Sequence, residues 1–527
     1  MRKWLYFVLI VIIAGLFTAY YVAGVKAEKE FGIFLKSVNN TPNLKVVAKH
    51  YHRGWLKSTV HIDAKLHCPP QQYEQNGMPQ TLPARDVPFS FNMAIYHGPI
   101  IFAENSIALG LGYAKAKVIL PNEVYNIVNP SLVHPEQFSQ IFSSTSIKPE
   151  VIVSLLLRYS GKMDINLDIP PFDLTGKEGR AEINWKGFQG HWMTNRKLSH
   201  IQGSVTFKGM IFKVDAANGN IGPVHLKYNV ENKGNNILSG RASIKLKTFE
   251  IGANNKSVLD LDGLQVESSN QIKNKDNVQL VNSSLKADIS SVTYQGLDYG
   301  PGVLDVYLSN LDAEALNQIQ QKLQVVSNNK LTGIQQQMFM LTLLPELSRL
   351  LNHGAMLQVK QLQLSIPEGV IVATAKVKLP NQPAENQNPL QLIQKMDAHV
   401  MAEVPVAWLT ERVTDFIQLK IAQRQLMEQQ MANKANLTQH SQLSTTPASK
   451  NETPANVTNS EDAKLLSLQE MNALAKQQAL EQLENLVQNG ILIQKENVYR
   501  IEMTFKEGAF YINGKPFNNQ QISEGVN

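Results

Sequence analysis

The chain is poor in the residues that cross-link and charge a protein. Its 527 residues hold a single cysteine, Cys68, so no intrachain disulfide can form. A lone thiol in an oxidising compartment is usually buried and inert. Charged residues make up only 18% of the chain, and 50 basic side chains face 44 acidic ones, leaving a net charge of +6. No block of like charge stands out, and basic residues are not interleaved with aromatics in one patch. Nucleic-acid binding is therefore not expected. A nucleophile elbow, a P-loop, a dinucleotide fingerprint and His-Glu-x-x-His are all missing. Gly176-Lys177-Glu178-Gly179 lacks phosphate-loop spacing and reads as a turn. These absences point away from an enzyme and away from a cofactor.

One long apolar run is present. Trp4 to Val25 carry no charge, close to the roughly 20 residues that a helix needs to cross the hydrocarbon core. Arg2 and Lys3 precede it, which places the N-terminus in the cytoplasm and the bulk outside. Trp4, Tyr6, Tyr20 and Tyr21 sit near its ends, as interfacial aromatics do. Val25-Lys26-Ala27 could pass as a signal-peptide cleavage site, but the run exceeds an ordinary h-region. No cysteine follows to carry a lipid, and no second run of this length appears. The expectation is an uncleaved, single-pass inner-membrane anchor with a periplasmic body.

Beyond the anchor, period-two alternation dominates. Val205 and Phe207 alternate with Thr206 and Lys208, Ile244 and Leu246 with Lys245 and Lys247, and Ile501, Met503 and Phe505 with Glu502, Thr504 and Lys506. Each reads as a strand with one wet and one buried face. Turn signals lie between them at Asn218-Gly219, Lys233-Gly234-Asn235, Pro367-Glu368-Gly369 and Asn513-Gly514, the last a type I′ candidate. Residues 97–121 and 353–380 both open on His-Gly and close on Ala-Lys-Val-x-Leu-Pro, which suggests a shared hairpin unit. His97 and His353 then read as turn or structural residues.

Helical spacing appears at 311–324, at 334–352 around Pro345, at 406–433, and at 461–488 up to Gly490. Residues 434–460, rich in Asn, Thr, Ser and Gln, read as a flexible linker between two helices that pair as an αα-hairpin. The predicted fold class is β-dominated α+β: a single N-terminal transmembrane helix, an extended antiparallel body of hairpins and a few amphipathic helices. The division reads as a tip and anchor (1–25), a β-rich body (26–405) with helices near 311–352, a helical hairpin (406–490) and a C-terminal β-hairpin (491–527).

The best metal candidate is the stretch holding His50, His52, His61, His67 and Cys68. Imidazole and thiolate suit zinc or copper. Their spacing matches no standard site, so His50, His52 and Cys68 remain weak candidates and no metal is expected. Asp164, Asp168 and Asp173 cluster near Pro170-Pro171 and read as solvated strand ends.

The anchor, YHRGWLKSTV (51–60), HGP (97–99), LSNLDAEAL (308–316), LLPEL…LQLSIPEG (343–369) and FYINGKPF (510–517) come in an order that resembles the YdgA-like family of Gram-negative inner-membrane proteins of unknown function. The resemblance covers nearly the whole chain. It implies a periplasmic body and supplies no catalytic residues. The strand-turn-strand monotony also looks like the AsmA-like proteins, with their long β grooves, a fold-level analogy. The leading expectation is a non-enzymatic envelope protein acting as scaffold or interaction partner. The alternatives are lipid or amphiphile binding in a β groove, and an enzyme with an unrecognised site. The groove requires an apolar sheet face that helices leave uncovered.

Overall fold

The computed structural model describes residues 2–39, 43–75, 78–103, 106–119, 150–176, 181–196, 199–232, 237–254, 256–327, 333–381, 394–442 and 467–517. For 2–13, 71–75, 78–82, 106, 324–327, 333–337, 340, 428–429, 431–442 and 468 the backbone alone is described. The turn expected at Lys233-Gly234-Asn235 and most of the linker, 443–460, lie outside the described residues. The chain forms two compact units, one of Met1–Ala355 with Gln382–Ala384, the other of Met356–Asn381 with Glu385–Asn527.

The first unit opens with a helix, α1 (Arg2–Asn39). Among the described residues, no helix is long and apolar enough to cross a membrane. The side chains of residues 4–13, nearly half of the apolar run, lie outside that description. Past Val25 the helix becomes amphipathic. Ala23, Ala27 and Phe31 are buried at four-residue spacing, and Leu35 and Val38 continue the stripe. That stripe lies on the sheet, against Val46, Val60, Ile62, Ile95 and Ala114.

The strands follow as β1 (Leu44–Arg53), β2 (Lys57–Cys68), β3 (Gln71–Gln75), β4 (Met78–Leu82), β5 (Arg85–His97), β6 (Ile100–Ala103), β7 (Ser106–Leu109), β8 (Gly112–Ile119), β9 (Glu150–Leu157), β10 (Met163–Ile169), β11 (Phe172–Thr175), β12 (Ala181–Trp185), β13 (Phe188–Thr194), β14 (His200–Phe207), β15 (Met210–Val214), β16 (Ala217–Ile221), β17 (Val224–Asn232), β18 (Leu238–Ala253), β19 (Lys256–Lys275), β20 (Val278–Ile289), β21 (Ser291–Tyr294), β22 (Leu297–Tyr299) and β23 (Gly302–Asp312). Helices α2 (Ala313–Ser327) and α3 (Gly333–Leu351) close the unit. Pro345 sits inside α3 without dividing it.

Two antiparallel panels make up this sheet. The first runs β1-β2-β5-β8-β9-β10-β13-β14-β17-β18-β19-β20-β23. The second runs β11-β12-β15-β16-β18-β19-β21-β22. The long strands β18 and β19 belong to both. Six other chain segments that pass from one panel to the other break along one line, at Pro170-Pro171, Gly187, Gly209, Gly222-Pro223, Ser290 and Gly300-Pro301. Backbone bonds still join neighbouring strands along the line: Lys186 N–H donates to Gly209 O at 2.9 Å, and Lys208 N–H to Gly187 O at 2.8 Å. Proline has no N–H to donate. Gly209 holds φ +120, and a Cβ there would lie 2.8 Å from the Ile221 carbonyl oxygen. The line is a crease at which five of the six breaks carry glycine or proline.

In the second unit β24 (Met356–Ile366), β25 (Gly369–Lys378), β26 (Asp397–Pro405) and β28 (Val498–Lys506) pair in that order, with β27 (Ile493–Lys495) and β29 (Ala509–Ile512) on the other edge of β28 and β30 (Lys515–Pro516) beyond β29. Helices α4 (Val406–Gln442) and α5 (Leu468–Gln488) pack through Ile417, Ala475 and Ala479. Ser467 and Glu470 form a capping box on α5.

Some local expectations change. Asn218-Gly219 lies inside β16 rather than at a turn; the reversal is at Asp215-Ala216. Gly219 is there because the Phe212 ring lies over it, 2.4 Å from where a Cβ would stand. The linker does not begin at 434, since α4 continues to Gln442 through Lys434, Ala435 and Leu437, all good helix formers. Asn513 and Gly514 both take positive φ (49 and 78), as a type I′ turn demands. The two His-Gly repeats differ in build. In the first, β6 and β7 form a separate hairpin and β8 returns to β5. In the second, β24 and β25 pair directly.

Candidate functional site

The register carries one apolar face across the first panel. Leu167, Gly190, Val205, Leu226, Ile244 and Val266 follow one another as direct partners from β10 to β19. The adjacent row on the other face reads Asn166, His191, Ser204, Lys227, Ser243 and Glu267. The second panel repeats the pattern: Phe172, Trp185, Met210, Ile221, Phe249 and Leu261 against Asp173, Asn184, Ile211, Asn220, Glu250 and Asp260. Trp185 of the second panel meets Phe207 of the first, with ring centroids 4.9 Å apart across the crease. The two apolar faces therefore lie on the same side of the crease, as the walls of a gutter.

Among the described residues, helices cover this face only at its margins. Over β1, β2, β5 and β8 it lies beneath α1, where Val60 and Ile62 are each 1% exposed. At the outer end of β19 and β20, α2 packs on Ile272 and Val281. Between them, among the described residues, no helix packs closely on β13–β18, and Ile244 on the same face keeps 38% of its surface. Trp192 lies flat on the floor, its ring over Gly190 and Gly203, where a Cβ would come within 2.2 and 2.6 Å of it. Burial pushes the neighbouring Tyr228 phenol above its ordinary pKa, offset in part by a hydrogen bond with Trp192. Where the cover of α1 ends, a pocket lined by Phe31, Phe34, Ala114, Leu155 and Met163 encloses about 20 Å³, room for little more than one water. The extended face, not this pocket, is the surface on which a ligand could lie.

Two motifs far apart in sequence meet under α1. Ser58 and His97 are both fully buried, with Ser58 Oγ 2.8 Å from His97 Nε2. His97 Nδ1 lies 2.8 Å from the Trp55 carbonyl oxygen. A carbonyl only accepts, so Nδ1 carries a proton, and in the neutral ring Nε2 accepts from the Ser58 hydroxyl. The pair has the polarity of a nucleophile and its base. Its position is that of a clamp, because Gly24 of α1 lies directly over the imidazole and a Cβ there would stand 2.7 Å from Nδ1. Burial also pushes the nearby Tyr51 phenol above its usual pKa. His353 approaches buried Asp312 at 3.5 Å, and Asp312 caps α2 by accepting from the Ala315 N–H at 2.8 Å.

The weak metal candidates are not brought together. His50 has φ +51 and sits in a bulge of β1 between Lys49 and His52. Both His50 and His52 are exposed. His52 pairs with Thr59, whereas buried Cys68 ends β2 nine residues on, roughly 30 Å away. His61 contacts Asp63 (3.3 Å) and Asn92 (2.8 Å), and His67 contacts Asp86 (2.7 Å). The hydrogen bond from Lys49 holds the Asp63 carboxyl below its usual pKa, and that from His67 does the same for Asp86. Among the described residues, no three His, Cys, Asp or Glu side chains are grouped to hold a metal. Asp164 pairs with Arg158 (2.7 Å to Nε) and Asp173 with Asn184 (2.6 Å), so the three aspartates are not one site.

The model of a family described as bacterial protein of unknown function (DUF945) matches residues 1–520. Protein YdgA of Escherichia coli (strain K12) is 22% identical over 295 residues, 55% of this chain and 54% of that protein. The match thus spans about half the length of each. No solved structure matches the chain.

Proposed function

Because the chain belongs to the DUF945 family of bacterial proteins of unknown function, we propose from its own geometry that it is a non-enzymatic, inner-membrane-anchored periplasmic protein whose gutter holds the acyl chains of lipid-like amphiphiles. The observation that carries this is the apolar face on which, among the described residues, no helix packs closely between α1 and α2. Six partnered rows from Leu167 to Val266 make an apolar floor about 24 Å wide. That exceeds the roughly 15 Å that an acyl chain spans in one leaflet. Each buried CH₂ contributes about 0.8 kcal/mol. The stripe of α1 lies on the first strands of the same face, so the helix that carries the charge-free run packs on the sheet whose face forms the gutter. That run and the two basic residues ahead of it support the anchor and its orientation.

The test is photocrosslinking in the full-length chain in cells. Benzoylphenylalanine at Tyr228 should form lipid adducts. At Asn229, one residue on and on the opposite face, it should not. Equal labelling at the two positions, or none at Tyr228, would overturn the reading.

A second reading, an envelope scaffold, rests on α4. Phe416, Leu419, Leu426 and Met427 are all more than half exposed and fall within one side of the helix. Benzoylphenylalanine at Leu419 should then yield a discrete protein adduct, and its absence would remove this reading.

A further inference from the structure

The hairpin of β6 and β7 stands apart from the main sheet. Its inner face is ordinary, with Ile101 and Ala103 buried. Its outer face is not polar, as a solvated ribbon's would be. It carries Ile100, Phe102, Ile107 and Leu109, with Phe102 63% and Ile107 71% exposed. Ile100 pairs with Leu109 and Phe102 with Ile107, so the four form a single patch.

That patch is fastened to α1. The Tyr20 hydroxyl donates to the Ile100 carbonyl at 2.6 Å, and the Tyr159 hydroxyl to the Pro99 carbonyl at 2.5 Å. Exposed Trp55 meets Phe17 edge-on at 5.9 Å and Tyr21 at 5.8 Å. Arg53 lies 5.3 Å over the Tyr21 ring. The hairpin, Trp55 and this part of α1 form an apolar and aromatic collar with a basic residue at its rim.

We propose that the collar sits in the interfacial layer of the phospholipid leaflet from which α1 emerges, so that the body is seated on the bilayer rather than tethered above it. This rests on the anchor reading above. Continuity selects the occupant. The helix residues beside the collar, Leu16, Phe17 and Val22, are exposed and belong to the same charge-free run that ends at Val25. At 1.5 Å per residue, Tyr20 lies about 8 Å below that end, within the roughly 5–10 Å depth at which interfacial segments lie. Tryptophan and tyrosine favour this layer, and at the collar's rim Arg53 is ion-paired with Glu28 of α1 at 3.2 Å. Backbone outside a helix or a closed barrel suits this hydrated layer and not the hydrocarbon centre.

The test uses the full chain in phosphatidylethanolamine–phosphatidylglycerol nanodiscs, in a Cys68→Ala background. Leu16→Cys, Ile107→Cys and Asn229→Cys, all exposed positions, each carry an environment-sensitive fluorophore. Quenching is read with brominated lipid and with iodide. The label at 107 should follow that at 16, losing fluorescence to brominated lipid and resisting iodide, while 229 does the reverse. Iodide quenching at 107 with lipid quenching at 16 overturns the collar and leaves the anchor standing. Iodide quenching at both removes the anchor, and the collar with it. Protection of 107 from both quenchers means that protein covers the patch, which also overturns the proposal.

Discussion

Trp185 and Phe207 lie on different panels of one sheet, yet their rings sit 4.9 Å apart with planes tilted by 44°. Neither strand pairs with the other; the contact exists because the sheet folds at its crease and brings two apolar faces to one side. A charge placed on that side meets apolar walls, whereas a charge one residue away meets water. Val205→Glu should therefore weaken binding of a fluorescent fatty acid by about tenfold or more, roughly 1.4 kcal/mol. Thr206→Glu, on the outer face, should leave it within about a factor of two. Equal effects of the two substitutions would show that binding does not use this face.

The crease makes its own demand on the backbone. With φ +120 and the Ile221 carbonyl oxygen 2.8 Å from a would-be Cβ, Gly209 occupies a conformation that other residues adopt only at a cost of about 1–3 kcal/mol. Gly209→Ala should lower the urea midpoint by the corresponding amount and broaden access of the gutter to a hydrophobic dye. An unchanged midpoint would mean that the strand break at 208–209 tolerates a side chain and is not a fixed fold line.

Much of this was legible in the sequence as pattern, and less as placement. Alternation at Val205 and Phe207, or at Ile244 and Leu246, correctly marks strands and their faces. Alternation says that one face is apolar; it does not say whether anything covers it. The cover of α1 and α2 is settled by the grouping of residues far apart in the chain, such as Phe31 with Ala114 or Ala313 with Ile237. Gly209 and Pro223 are visible as breakers, but a breaker within a long strand and a breaker at a hairpin look alike locally. Asn218-Gly219 shows the same ambiguity, since a glycine beneath Phe212 has the same letter as one in a turn. The partner of His97 is Ser58, 39 residues away, and no local spacing announces it.

The clamp beneath α1 should behave as a buried network. Ser58→Ala leaves His97 Nε2 without its donor, and a buried polar group left unpaired costs about 1–3 kcal/mol. His97→Ala removes the ring that Gly24 covers and leaves the Trp55 carbonyl and the Ser58 hydroxyl unmatched. A double-mutant cycle on Ser58→Ala and His97→Ala should show coupling of about 1 kcal/mol in denaturant unfolding. Gly24→Val should loosen α1 from the sheet, read as faster hydrogen exchange over residues 23–35. Additive single effects, or an undisturbed helix in Gly24→Val, would remove the clamp.

Acid should act first where α2 and α3 meet. Lys322 Nζ lies 2.7 Å from Glu346 Oε1, and this hydrogen bond, ahead of smaller contributions, holds the Glu346 carboxyl below its usual pKa. A carboxylate depressed in the folded state contributes stability above its unfolded pKa, about 4.3, and loses it as pH falls through the lower folded value. The pair is near the surface, so the contribution is about 1 kcal/mol or less. Hydrogen exchange in α2 and α3 should therefore accelerate as pH drops below about 4, once the intrinsic pH dependence of exchange is removed. In Lys322→Met the depression of Glu346 is relieved, so the same helices should already be looser at neutral pH and show a shallower acid response. An acid response as steep as in the wild type would place the cause elsewhere, in carboxylates such as Asp63 or Asp86, whose pKa values are lowered on the outer face of β2 and β5.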